Sequence, residues 1–458
     1  MSNAAPPSVR TPRHKTQEPA TLIAPTPQKN RILTLDALRG FALLGVLVTN
    51  MLQGYSYVRS GADETVAMVI HAFAEGSFFP MFSFLFGLGF ALQLRKGEAA
   101  LPRFRRRLWV LLGIGLAHLL LIWIGDILFT YALLGFVLVL FRNKKDNVLL
   151  FSALGMWLFS VSLIVLISLS EPAVAAPELE PSSGFVGNSY LAITLDRLAS
   201  FPDELIGLVF GGPLVLALFV IGYLVGRKGV REMLANTHFL RRVALLSALV
   251  SAPFTLWYLG VVPLFAEAGW LYALEYVVAG PAQAFFYLAT LSLLATPLWN
   301  IVKLFVPVGQ MALSNYLGQS IICTTLFYPY ALGLYDSEPG TATGLLFSLG
   351  IFALQILVSA VWLRYFRFGP AEWLWRSLTY GKRQPLLKRR VLERHILEQN
   401  SAERHSTEQN RAERLPTKDA NVAVAGSGNT IVRAPELTTD RIIRSNSELG
   451  HYGDTTPT

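Results

Sequence analysis

The chain has 458 residues, 53% apolar and 15% charged, with a formal charge of +9. A soluble protein of this size carries about 25% charged residues, so most of the chain belongs in lipid. Its basic residues fall between apolar runs, which excludes a nucleic-acid footprint. The single cysteine, Cys323, excludes an intrachain disulfide or thiolate cluster, and seven histidines without HxxxH or HExxH spacing give no metal site.

In chain order, residues 1–30 hold six prolines and read as a disordered N-terminal tail rather than a signal peptide. Ten apolar stretches follow, at 36–53, 66–92, 106–124, 127–141, 148–170, 205–226, 242–262, 271–298, 303–328 and 343–366. Each approaches the ~20 residues needed to span hydrocarbon. The third and fourth are divided only by Gly125-Asp126, as in a tight hairpin. With the N-terminus inside, fifteen Lys and Arg residues fall on inner loops, against Arg59 and Arg197 outside. That bias predicts an all-α, polytopic bundle of about ten transmembrane helices with N- and C-terminus cytoplasmic. The outer segment 171–204 is too polar and broken to span. Beyond residue 383 a cytoplasmic tail is expected at 384–458, with a decapeptide repeat at 393–415 (ERHILEQNSA, ERHSTEQNRA, ERL) and a disordered end.

Polar residues retained in the apolar runs are the candidate site. Asp36 and Arg39, at i and i+3 of the first helix, share a face and can pair. They either cap and snorkel at the membrane boundary or organise a polar mouth. His71 and Glu75 share a face of the second run, where Pro80 is expected to kink the helix. His118 lies well inside the third run, with Asp126 at its outer end. On one continuous helix they would stand ~12 Å apart in height and would not touch, though both could face one cavity. A buried neutral histidine is one reading. A general base is the other, since imidazole titrates near neutrality. In the ninth run Ser314, Asn315, Tyr316, Gln319 and Ser320 form an amide and hydroxyl stripe. It serves as helix–helix glue or as donors for a substrate carbonyl or sugar. After the last run, Gly369-Pro370 breaks the helix before an amphipathic segment with Trp373 and Trp375 at the interface and an i, i+4 pair, Glu372 with Arg376.

Five ordered motifs, LTLDALRGFALLGVLVTN, FFPMFSFLFGLGFAL, GLAHLLLIWIGDIL, GQMALSNYLGQS and FGPAEWLWRSLTYGKRQPL, cover residues 31–383. Together they resemble the YeiB-like bacterial membrane proteins, classed as domain-of-unknown-function family 418. The first helix also looks like those of the acyltransferase-three family and the heparan-α-glucosaminide N-acetyltransferases. That second resemblance implies transfer of an acyl group from a cytoplasmic donor to an acceptor across the membrane. One departure is Asn50, which stands where acyltransferase-three proteins commonly have a catalytic histidine.

The resemblance implies an acyltransferase of the bacterial cytoplasmic (inner) membrane. Acyl-coenzyme A would be its co-substrate, no bound cofactor is expected, and the acceptor would be an envelope glycan or a membrane lipid. His118 would be the base, positioned by Asp126 or Glu75. Asp36 and Arg39 would lie by the cytoplasmic mouth, with Arg39 holding donor phosphate or organising that mouth through Asp36, and Asn315 and Gln319 would support the oxyanion. A multi-pass transporter or lipid-handling channel, and a non-catalytic membrane scaffold, are the other function classes. Topology is checked with reporter fusions: sites at 60, 185 and 338 should read outside, and 100, 235 and 385 inside. Opposite signals at two or more sites would overturn the ten-span order.

Overall fold

The computed structural model describes residues 32–56, 61–95, 97, 100–170, 189–261 and 269–388. The expected N-terminal tail, the C-terminal tail beyond residue 388 with its decapeptide repeat, and residues 171–188 of the outer segment lie outside the described residues. Among the described residues the structure is helical, with one isolated bridge between Phe366 and Leu387. Seven helical segments are long and apolar enough to cross a membrane. The protein is a multi-pass helical membrane bundle.

Helix α1 (Leu33–Tyr55) is the central element. Leu35, Ala42, Leu43, Leu47 and Met51 are buried along it, and helices from both halves of the chain pack against it. The second run is two helices, α2 (Ala62–Phe73) and α3 (Phe78–Leu94). The break falls at 74–77, where Gly76 takes a positive φ of 67°, and not at Pro80. Pro80 lies in the first turn of α3, where a missing N–H breaks no helical hydrogen bond. The third and fourth runs form a hairpin, α4 (Leu101–Leu121) and α5 (Leu128–Leu140). Their close approach is set by Gly115, where a Cβ would overlap the backbone of Phe129.

The remaining elements follow the apolar pattern with three additions. Helix α6 (Asp146–Ser170) is followed by α7 (Tyr190–Ala199), a short helix inside the segment read as an outer loop. The Ser189 hydroxyl caps α7, accepting from the Ala192 N–H at 3.2 Å. Next come α8 (Phe201–Lys228), the short α9 (Val230–Ala235) and α10 (Thr237–Tyr258), the last capped by Asn236. The eighth run divides into α11 (Gly269–Leu274), a π-helical turn (Glu275–Ala279) and α12 (Gly280–Leu294). A four-residue α13 (Trp299–Val302) leads into the ninth run. That run splits at Met311 into α14 (Phe305–Gln310) and α15 (Ala312–Phe327). Helix α16 (Thr341–Tyr365) ends before the Gly369-Pro370 break, and α17 (Pro370–Tyr380) starts on that proline.

Glycines set the tightest helix contacts, as expected where lipid gives no hydrophobic drive to association. A Cβ at Gly309 of α14 would overlap the Asp36 carbonyl of α1, and one at Gly40 would overlap the Phe305 carbonyl. Helices α3 and α8 interlock the same way through Gly87 against Phe219 and Gly222 against Phe84. Helices α6 and α10 instead present Phe151, Leu158, Leu245 and Leu249 outward, which suits the lipid boundary. Gly87→Ala should therefore cost about 1–3 kcal/mol through overpacking, read as a lower Tm in detergent. Gly155→Ala, with open space around it, should leave Tm unchanged or slightly raised.

Candidate functional site

The α4–α5 hairpin brings His118 and Asp126 into direct contact, contrary to the continuous-helix expectation. The chain leaves the helix after Leu121, and both the Ile122 and Trp123 N–H groups donate to the His118 carbonyl. The connector then folds Asp126 back, so that His118 Nδ1 and Asp126 Oδ1 lie 2.8 Å apart. The other carboxylate oxygen accepts from the Phe129 N–H at 2.6 Å, anchoring the first turn of α5. Both side chains are buried. An ionised Asp126 requires the proton on Nδ1, which leaves the Nε2 lone pair as the open position of the ring. Nε2 is buried and without a hydrogen-bond partner.

Tyr316 of α15 completes this group. Its ring centroid lies 5.2 Å from that of His118. The Ile127 N–H donates to its hydroxyl at 3.2 Å, and the hydroxyl is 3.4 Å from the Gly125 carbonyl. Thus the ninth run docks on the hairpin connector through a residue adjacent to Asn315.

At the other end of α4, Asp36 and Arg39 form the expected pair, with Nη1 to Oδ1 at 3.2 Å. Asp36 is buried under α14 while Arg39 stays partly open. Arg39 approaches α3 at Gly89, one turn before Gln93, which accepts from Arg107 Nη1 at 3.0 Å. Arg107 in turn lies over the Trp375 ring, its guanidinium carbon 4.2 Å from the centroid. Arg39, Arg107 and neighbouring Arg376 thus gather around the C-terminal turn of α3. The basic run at 103–107 signalled inner loops, but its meeting with Arg39 depends on packing that spacing does not encode.

The other predicted residues occupy three separate places. Glu75 pairs with His71 and accepts from Gln53 Nε2 at 3.1 Å, so Asp126 alone is the carboxylate on His118. Asn50 is half-buried on α1. Asn315 donates to the Val308 carbonyl at 3.1 Å and to Ser359 at 2.9 Å. Gln319 donates to the Leu43 carbonyl at 3.3 Å and to Gln355 at 2.9 Å. Ser314 meets Glu372 instead of a substrate pocket. Glu372 takes the Leu313 and Ser314 N–H groups at 2.7 and 3.1 Å, and the Ser314 hydroxyl at 2.5 Å. These bonds cap the first turn of α15. Burial raises the Glu372 carboxyl above its ordinary pKa, and the hydrogen bonds from Ser314 and Leu313 oppose the shift.

Residues 31–180 match the heparan-alpha-glucosaminide N-acetyltransferase catalytic family, and residues 225–382 match the protein family of unknown function DUF418. The uncharacterised protein YxaH of Bacillus subtilis (strain 168) is 33% identical over 410 residues, covering 80% of this chain and 98% of the relative. The uncharacterised protein YeiB of Escherichia coli (strain K12) is 29% identical over 406 residues, 78% of this chain and 99% of the relative. An uncharacterised 39.9 kDa protein from the amylase 3' region of Bacillus acidopullulyticus is 31% identical over 373 residues, 78% of this chain and 96% of the relative. The first matched region contains Asp36, Arg39, His118 and Asp126.

The hairpin geometry yields a stability test. Asp126→Ala strands the His118 and Phe129 donors and should cost about 1–3 kcal/mol, read as a fall in Tm. Asp126→Asn keeps an acceptor for Phe129 and should fall less.

Proposed function

The chain belongs to the DUF418 family, and on that premise we propose that it is a membrane acyltransferase of the bacterial cytoplasmic membrane. Both termini face the cytoplasm in this reading, and the acyl group passes from cytoplasmic acyl-coenzyme A to an envelope glycan or lipid. The observation that carries it is the buried Asp126–His118 pair with Nε2 open, within the segment similar to an N-acetyltransferase catalytic domain. Asp126 fixes the ring and its tautomer, and Nε2 accepts the acceptor's O–H or N–H proton. The acceptor oxygen or nitrogen then attacks the thioester carbonyl, the C–S bond breaks, and coenzyme A leaves as the thiol after taking a proton.

The donor end is the arginine group. Arg39, aligned by Asp36, and Arg107 bind donor phosphate through charge-assisted hydrogen bonds. Arg107 and His118 are eleven residues apart on α4, about 16 Å along the helix axis. An extended pantetheine arm has a comparable reach, so one donor molecule can touch both ends. Tyr316, beside the imidazole, supplies a hydroxyl to the tetrahedral oxyanion. Asn315 and Gln319 act one step back, holding α15 against α1, α14 and α16.

A second reading, a transporter, has one specific observation in its favour. The α2–α3 break and the π-helical turn meet where Gly76 packs against Gly280, and the buried Glu275 carboxyl lies beside them. Interrupted helices facing each other in a bundle interior form solute and ion sites in transporters.

Calorimetry with acetyl-coenzyme A in nanodiscs, joined to a transfer assay in proteoliposomes, separates the readings. His118→Ala should abolish transfer and keep donor binding. Arg39→Ala should weaken donor binding by about 1.5–3 kcal/mol. Wild-type protein that binds no coenzyme A thioester would overturn the acyltransferase reading, as would full transfer by His118→Ala. In the latter case the His71–Glu75 pair is the next base to test.

A further inference from the structure

Helix α7 carries a charge that the proposed reaction has not used. Arg197 is among the most buried large side chains of the described residues, 1% exposed. Its Nη1 and Nη2 atoms are buried without a hydrogen-bond partner. A guanidinium desolvated in this way is costly unless an anion compensates it. Beside it the Tyr55 hydroxyl, at the end of α1, is also buried and unpartnered. The two meet at Tyr328. The Arg197 guanidinium carbon lies 5.3 Å from the Tyr328 ring centroid, and the Tyr55 ring lies 6.2 Å from it. Three unpartnered donor atoms, two on Arg197 and one on Tyr55, therefore flank Tyr328.

This group adjoins the candidate base. Tyr55 stacks on Trp123 with centroids 6.2 Å apart, and Trp123 lies in the connector that folds Asp126 back onto His118. Tyr190, the first residue of α7, donates to the Leu121 carbonyl at 2.9 Å, tying α7 over the end of α4. The opposite face of α7 presents Leu191, Leu195 and Leu198 outward. An amphipathic helix with exposed leucines lies along the membrane interface, so the group under it is reached from the lipid rather than from bulk water. The distribution of positive charge puts this segment on the outer side.

We propose that Arg197, with the Tyr55 hydroxyl, is a binding subsite for the phosphate of an outer-leaflet lipid, which positions a lipid acceptor beside His118. The subsite rests on the acyltransferase reading for its purpose but not for its binding. The two free oxygens of a phosphodiester match the guanidinium fork, and one of them also takes the tyrosine proton. The Tyr328 side chain hydrogen-bonds Arg197 but leaves Nη1 and Nη2 without a partner. Because the nitrogens are covered, α7 must shift outward to admit the ligand, and its short span of ten residues makes that a local motion.

The test uses the full chain in dodecyl maltoside, which carries no phosphate, with dioleoyl phosphatidylglycerol, dioleoylglycerol or inorganic phosphate added. Binding is read by native mass spectrometry and by Tm. Wild-type protein should retain phosphatidylglycerol and gain Tm, and dioleoylglycerol should do neither. Arg197→Gln should lose at least tenfold in lipid affinity. Arg197→Lys, which keeps the charge, should retain the fold and an intermediate affinity, so a folding defect in the glutamine variant does not decide the matter. Inorganic phosphate giving the same gain would overturn the lipid assignment in favour of a soluble anion. Equal lipid binding by wild type and both variants would overturn the subsite itself. Acetyl-coenzyme A binding, measured in parallel, should be unchanged by either substitution; its absence in wild type would count against the acyltransferase alone.

Discussion

Inside a bilayer a polar group has no water to return to, so each must find its partner on another helix. This constraint organises the bundle. Asn315, Gln319, Gln355 and Ser359 tie α15 and α16 to each other and to the backbone of α1 and α14. Gln283 does the same for the end of α2, donating to the Ala72 carbonyl at 3.0 Å. Where this accounting is complete, the residues hold the fold. Among the described residues it is incomplete at His118 Nε2, His71 Nε2, the Gln319 amide oxygen, the Tyr55 and Ser160 hydroxyls and the Arg197 Nη atoms.

Interrupted helices are the second consequence. Helical backbone is broken at 74–77, at the π turn 275–279 and at Met311. Buried side chains flank each break, Ala74 and Ser77, Glu275 and Val277, and Met311 itself, as expected where irregular backbone is tolerated at membrane depth. Met311 is capped from outside its own run by Glu372, and the α2–α3 turn is closed by Ser77 donating to Gln283 at 2.9 Å. Breaks of this kind turn polar groups into the bundle interior that a continuous helix would present elsewhere.

The apolar runs, and therefore the fold class, were legible because twenty-residue hydrophobicity is a direct physical requirement of spanning. Local pairs were legible too: Asp36 with Arg39 and His71 with Glu75 are contacts between residues three or four apart. What sequence could not supply was direction after a helix ends. His118 and Asp126 looked out of reach because a helix was extended through Trp123, whereas the chain turns there. Glu372 was read only as a partner for Arg376, since i, i+4 spacing is all a sequence shows of it; its three donors from α15 lie far along the chain. Arg197 was read only as an outer charge, because its contact with Tyr328, far along the chain, leaves no periodic trace.

Helix α5 has a consequence for the membrane itself. Its thirteen residues rise only about 20 Å, against ~30 Å of hydrocarbon. A helix this short matches a full-thickness bilayer poorly, and lipids beside it compress or the headgroup layer dips toward its ends. The hairpin connector, whose Asp126 meets His118 at the end of α4, sits at one of those ends. Leaflet deformation there would bring lipid headgroups closer to the depth of this buried pair.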